Sequence, residues 1–187
     1  MRFLSLICCL MVGSVAAEMI GTVEYQLPEQ NKSWKVDLDM QGNANDPKKS
    51  TTKIYVPQNA TKEDAKETFG VVEVDLPSQE INQAAIEKMY AEQFPSLKAK
   101  VTILEKDSNS VTYEWSLSKD GKEEVHGWTR IFSGADQTVL LTYQTEELDK
   151  LKDVGPLWSK TLKQAKMTSK EEKKSATEEV KSLTTKP

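Results

Sequence analysis

Apolar and polar positions alternate with a period of two along much of this chain. Residues 33–40 (SWKVDLDM) put Trp34, Val36, Leu38 and Met40 on one side and Lys35, Asp37 and Asp39 on the other, the pattern of a half-buried strand. Segment 19–27 alternates more loosely before Pro28, and Thr51–Val56 reads as another strand, stopped by Pro57. Residues 41–50 (QGNANDPKKS) carry Gly, Asn, Asp and Pro and predict a loop. Thr61 is placed to cap a short helix. Glu63 and Asp64 fall in its first turn, Ala65 and Phe69 share a face, and Gly70 ends it. A strand over 71–76 follows. The spacing then predicts a helix over 79–94 with Ile81, Ala85, Met89 and Phe94 in a stripe, Ile86 and Tyr90 alongside, and Pro95 closing it.

Residues 100–144 predict a four-stranded meander, with strands over 100–106, 111–118, 123–132 and 137–144 joined by short polar turns. Asp120-Gly121 is a strong type I′ hairpin signal, because both central residues of that turn need positive φ. A two-residue loop there sets Lys119 opposite Lys122, Trp115 opposite His126 and Tyr113 opposite Trp128. One face then collects Val111, Tyr113, Trp115, Leu117, His126, Trp128 and Phe132, joined by Val139, Leu141 and Tyr143. The other holds Thr112, Glu114, Ser116, Thr129, Thr138 and Thr142, with Val125, Ile131 and Leu140. A slip of one residue reverses both faces. Strand 100–106 turns either Ile103 or Leu104 toward the aromatics.

Leu148 and Leu151 predict a turn or two of helix, interrupted at Gly155-Pro156. A helix over 156–166 then starts at Pro156, with Leu157, Trp158, Leu162 and Ala165 on its apolar face. After Met167 only Ala176, Val180 and Leu183 are apolar, too few to offset ordering. Residues 168–187 therefore read as a disordered polar tail, and 18–167 as one domain.

The order of elements defines an α+β domain: a largely antiparallel sheet ending in a four-stranded meander, flanked by helices. A cystatin-like or lipocalin-like sheet is the alternative. In this order the chain resembles the Mog1/PsbP-like fold, and within it bacterial exported DcrB-type domains. The resembling pieces are the strand ending Ile54-Tyr55-Val56-Pro57, the helix 79–94 before the meander, the strand Val139-Leu140-Leu141-Thr142-Tyr143, and a last helix with Trp158 and Leu162. The match covers about residues 33–167 and is one of pattern, with no shared motif that would carry a functional residue over. It implies binding or accessory roles: PsbP relatives support a manganese/calcium centre in photosystem II, and Mog1 relatives bind a small GTPase.

Composition adds a destination. Residues 1–17 (MRFLSLICCLMVGSVAA) have Arg2, a short apolar run and a small-residue end at Val15-Ala16-Ala17, the layout of a cleaved secretory signal. The run is shorter than the ~20 residues a span needs, and no other run reaches that length. The expectation is an exported protein, periplasmic or secreted, with no stable membrane insertion after cleavage. Of the 187 residues, only Cys8 and Cys9 are cysteines. The mature chain is then cysteine-free, which excludes disulfides and thiol chemistry. Cleavage also removes Arg2 and no acid, leaving 24 Lys+Arg against 29 Asp+Glu. An acidic domain without a basic stripe has no footprint for nucleic acid.

Candidate chemistry is sparse. The single histidine excludes a multi-His metal site and leaves any Ser-His-Asp scheme one base. There is no G-x-S-x-G, no H-E-x-x-H and no phosphate-cradling glycine loop. Asp37, Asp39 and Asp46 lack the spacing of a calcium loop, so no metal and no cofactor is expected. Asn31-Lys32-Ser33 and Asn59-Ala60-Thr61 match the glycosylation pattern, which matters only in a eukaryotic secretory pathway. The one ligand-binding candidate is the aromatic face: Tyr113, Trp115, His126, Trp128 and Tyr143, with Glu124 and Arg130 on the histidine's strand forming a line suited to a small anion. Against it stand the two helices, whose apolar faces suffice to cover these rings. The expected function is an exported, non-catalytic accessory domain that binds a protein or envelope component. The alternative is a carrier of a small apolar ligand at the aromatic face.

Overall fold

Among the described residues, seven strands form one antiparallel sheet in the order Trp34–Gln41, Ser50–Pro57, Glu67–Val74, Thr138–Thr145, Lys122–Ser133, Ser110–Lys119, Lys98–Lys106, and Gly21–Glu24 pairs with Lys166–Ser169 in a separate two-stranded ribbon. The structure is a computed structural model that describes residues 21–28, 34–41, 50–61, 63–74, 81–134 and 137–169. The strands are β1 (Gly21–Glu24), β2 (Trp34–Gln41), β3 (Ser50–Pro57), β4 (Glu67–Val74), β5 (Lys98–Lys106), β6 (Ser110–Lys119), β7 (Lys122–Ser133), β8 (Thr138–Thr145) and β9 (Lys166–Ser169). Helix α1 (Gln83–Gln93) precedes β5. Helix α2 (Leu151–Gln164) follows β8 after a 3-10 turn over Leu148–Lys150. This is the α+β architecture that the alternation predicts, with the meander β5–β8 intact. The expected leader over 1–17, the glycosylation pattern at Asn31, nearly all of the expected 41–50 loop and residues 170–187 lie outside the described residues.

The expected register of the central hairpin is corrected. Asp120 and Gly121 do take positive φ, and Lys119 faces Lys122. A bulge then intervenes: Ser118 pairs with Glu123 but Leu117 with Val125. One extra residue on β7 reverses its faces relative to β6. Trp115 comes opposite Gly127 instead of His126, and Tyr113 opposite Thr129 instead of Trp128. The bare backbone at Gly127 makes room for the Trp115 indole. A Cβ there would lie 2.5 Å from Trp115 Cε2 and 2.7 Å from the Tyr143 carbonyl oxygen.

The sheet is consequently buried on both faces. One carries Val72, Val101, Val111, Tyr113, Trp115, Leu117, Val125, Ile131 and Leu140, closed by Ile86 and Tyr90 of α1. The other carries Phe69, Val71, Trp128, Phe132, Val139, Leu141 and Tyr143, closed by Trp158 and Leu162 of α2. The ribbon extends this second cover, adding Val23 from β1 and Met167 beside β8's turn.

Three local expectations also change. The helix expected from Thr61 to Gly70 is a single turn, in which Ala65 N–H donates to the Thr61 carbonyl, and Glu67 already begins β4. Pairing on both sides, with β3 and β8, gives these residues more than a short helix would. Helix α1 begins later than expected: the Asn82 side chain caps it by accepting from Ala85 N–H at 3.0 Å, and Ala85 points to solvent. Gly155-Pro156 does not interrupt α2 but sits inside it. The Trp128 ring presses on Gly155, where a Cβ would meet Trp128 Cζ2 at 3.0 Å. Tertiary contact thus holds a helix through a proline that local sequence would place at its start.

A histidine rim on the second face

The register places residues of five strands in straight rows across the α2 face. The outermost row is Glu67, Thr145, His126, Ser116 and Lys100, running through β4, β8, β7, β6 and β5. The next is Phe69, Tyr143, Trp128, Glu114 and Thr102. In both rows the β4–β8–β7 part lies under or beside α2, while Glu114, Thr102 and Lys100 reach solvent at least in part. His126 marks the border between the two.

His126 is held from three sides. Its Nδ1 lies 2.7 Å from Glu123 Oε1 and its Nε2 2.8 Å from Glu114 Oε1. Its ring packs on Trp128 with centroids 4.6 Å apart. Its side chain is 14% exposed, against 36% and 35% for the two glutamates. Both ring nitrogens are thus engaged by carboxylate oxygens, one from its own strand and one from β6. Neither nitrogen is free to accept a proton from a substrate without breaking one of these bonds. Ser116 is its cross-strand neighbour, yet both ring nitrogens are bonded to carboxylates. Among the described residues, no three His, Cys, Asp or Glu side chains converge on a point that suits a metal ion.

Inward from the rim, rings stack in series: Trp128 on Tyr143 at 6.1 Å, Tyr143 on Trp158 at 4.1 Å, and Trp158 on Phe69 at 5.1 Å. Trp34 meets Trp158 edge-on, and Tyr25 lies against Phe69. Tyr143 donates its hydroxyl to the Glu67 carboxylate at 2.9 Å. Burial, and then the Glu67 charge beside it, raise the Tyr143 phenol well above its ordinary value. At the foot of the rim, Lys150 bonds to Glu147 at 2.7 Å, which raises the ammonium above its ordinary value.

The five sequence candidates therefore do not share a face. His126, Trp128 and Tyr143 lie together on the α2 side. Tyr113 and Trp115 lie on the α1 side, where Trp115 donates to Thr129 Oγ1 at 3.0 Å and packs at a tilt against Tyr90. Burial pushes the Tyr113 phenol up to about 12. The expected line of Glu124, His126 and Arg130 is also replaced. The histidine's partners are Glu114 and Glu123, which the unshifted register conceals. Arg130 instead donates from Nη1 to the carbonyls of Leu162 and Lys163 at 3.1 and 2.9 Å, tying down the C-terminal end of α2. It also reaches Ser110 Oγ at 3.0 Å and stacks over Phe132. A cation at a helix C-terminus is favourable, and here it joins α2 to β7 and β6.

No protein-family model and no curated protein matches this chain. Among solved structures it is similar to cyanobacterial PsbP (CyanoP) from Synechocystis sp. PCC 6803, at 12% identity and TM-score 0.52, over 84% of this chain and 99% of that one. A second match is LpqN, involved in cell envelope biogenesis of Mycobacterium tuberculosis, at 14% identity and TM-score 0.36, over 83% of this chain and 90% of that one. The likeness to CyanoP is one of fold: the chain is an α+β domain of PsbP-like architecture. Among the described residues, no helix is long and apolar enough to cross a membrane.

Proposed function

We propose that this protein is an exported, non-catalytic accessory domain that binds a protein or envelope component through the rim formed by Glu114, Glu123 and His126. The observation that carries this reading is the histidine clamp. The chain's one histidine is fixed between two half-exposed carboxylates on a rigid sheet, beyond the cover of α2. Such a group presents a fixed pattern of charge to a partner and is poorly set up to move protons. Carriage of an apolar ligand is less well supported, because a ligand would have to displace Trp158 or Tyr90 from clusters already filled by the protein's own rings.

Two measurements test the reading. N-terminal sequencing of the exported protein should find Glu18 first; a chain still beginning at Met1 would contradict cleavage. A photo-crosslinking residue at Glu123, used in the native host, should capture a defined partner that the same residue at Lys88, on the exposed side of α1, does not. Equal capture at both positions, or none at Glu123, would overturn the rim as the binding surface. Native mass spectrometry of the purified protein should give a clean unliganded mass; a co-purified lipid would favour the carrier.

A further inference from the structure

Val36, Met40 and Leu104 are the large apolar side chains that stay exposed among the described residues, at 48%, 44% and 40%. All three lie on β2 and β5, the two outer strands of the seven-stranded sheet. An outer strand offers an unpaired row of backbone N–H and C=O groups to any extended chain that can approach it. The two edges carry opposite charge. Strand β5 presents exposed Lys98, Lys100 and Lys106, and its one acid, Glu105, faces Lys163 at 3.5 Å. Strand β2 presents exposed Asp37 and Asp39 around a bulge, against one half-buried lysine, Lys35, with Asp39 3.8 Å from a half-open Lys53 on β3.

Lysines and bulges on outer strands normally prevent pairing. Here they discriminate. Pairing β5 with β5 of another copy opposes lysine to lysine, and pairing β2 with β2 opposes aspartate to aspartate. Pairing β5 with β2 opposes unlike charges and covers the exposed apolar side chains of both edges. Every neighbouring pair in the sheet is antiparallel, so β2 and β5 run in the same direction. A copy that keeps its helices on the same sides therefore adds its β2 parallel to β5.

We propose that a second copy of this chain docks edge to edge, β2 of one copy extending the sheet of the next at β5, by strand addition. The contact is head-to-tail, so the assembly always keeps one free β2 edge and one free β5 edge and can grow. It uses the sheet edges and is independent of the partner proposed for the histidine rim.

The test is sedimentation velocity on the processed chain, residues 18–187, over a range of concentrations at low and high salt. The expected result is a mass that rises with concentration at low salt and falls back at high salt. Two charge reversals, Lys98→Glu with Lys100→Glu, and Asp37→Lys with Asp39→Lys, should each weaken association by about tenfold or more. All four positions are exposed, so both variants should keep the wild-type circular dichroism spectrum. An equimolar mixture of the two variants restores unlike charges at every junction and should restore association. Hydrogen exchange should slow in β2 and β5 of the wild type as concentration rises. A chain that stays monomeric at low salt, association insensitive to the reversals, or a mixture that remains monomeric would each overturn the proposal.

Discussion

Gly127 decides more than any other single residue. Trp115 lies over it, and the bulge one turn of the pleat away brings the two together. Gly127→Ala would place a methyl group where the indole and the Tyr143 carbonyl already are. The expected cost is about 1–3 kcal/mol by overpacking, read as a lower urea midpoint with an unchanged slope. Arg130 is the second such residue. Its Nη1 reaches two α2 carbonyls while Nη2 reaches Ser110 Oγ, and the single terminal nitrogen of a lysine cannot take both places. Arg130→Lys should therefore destabilise by roughly 1–3 kcal/mol, and a variant as stable as the wild type would contradict this role. Neither residue is conspicuous in the sequence. Gly127 carries no signal of its own there, and Arg130 is singled out only in a line with Glu124 and His126, a different role from the one it has once the register is known.

At the scale of elements, most of the meander was legible. Period-two alternation and Asp120-Gly121 place β6, β7 and β8 correctly, because those signals are local. Residues 61–70 form a turn and the start of β4 instead of a helix, because a capping signal and one i, i+4 pair are equally compatible with a turn leading into a central strand. Segment 19–27 does hold a strand, β1, but its pairing with β9 leaves no local signal: each is four residues long, and they pair across nearly the whole chain. A two-stranded ribbon has little stability of its own, so its contribution comes from what it covers. Strand β9 also runs to Ser169, two residues beyond the boundary expected from apolar content. Truncation after Ala165 should expose Val23 and remove Met167, at about 1.5–3 kcal/mol for each apolar side chain. Truncation after Ser169 should change stability by less than about 0.5 kcal/mol. Equal denaturation midpoints for the two truncations would show that the ribbon covers nothing that matters.

At the scale of the whole molecule, the filling of both sheet faces has a consequence at high pH. Burial raises the phenols of Tyr25, Tyr90, Tyr113 and Tyr143 above their ordinary value. An unfolded tyrosine ionises near pH ~10. Below that pH both states keep these protons, and the four groups leave stability unchanged. Above it the unfolded chain releases protons that the folded chain retains, so stability falls as pH rises. Phenolate absorbance should therefore appear largely together with the loss of circular dichroism in an alkaline titration. Phenolate appearing well before unfolding would show that the tyrosine-bearing clusters are open.

The sequence alone determined most of the segments that are strands, where the central hairpin turns, and, with a single histidine, that a multi-histidine site is excluded. Those properties depend on residues close together in the chain. It could not determine which aromatics face each other, because β6 and β7 carry side chains suited to burial on both of their faces. When both faces can be buried, alternation no longer selects the register. The choice falls to packing: Trp115 needs the space above Gly127, Trp128 needs the space beside Gly155, and the bulge satisfies both. That tertiary decision divides the aromatic set between two cores and leaves His126 at the edge of one, between two carboxylates that the local pattern assigned to no partner.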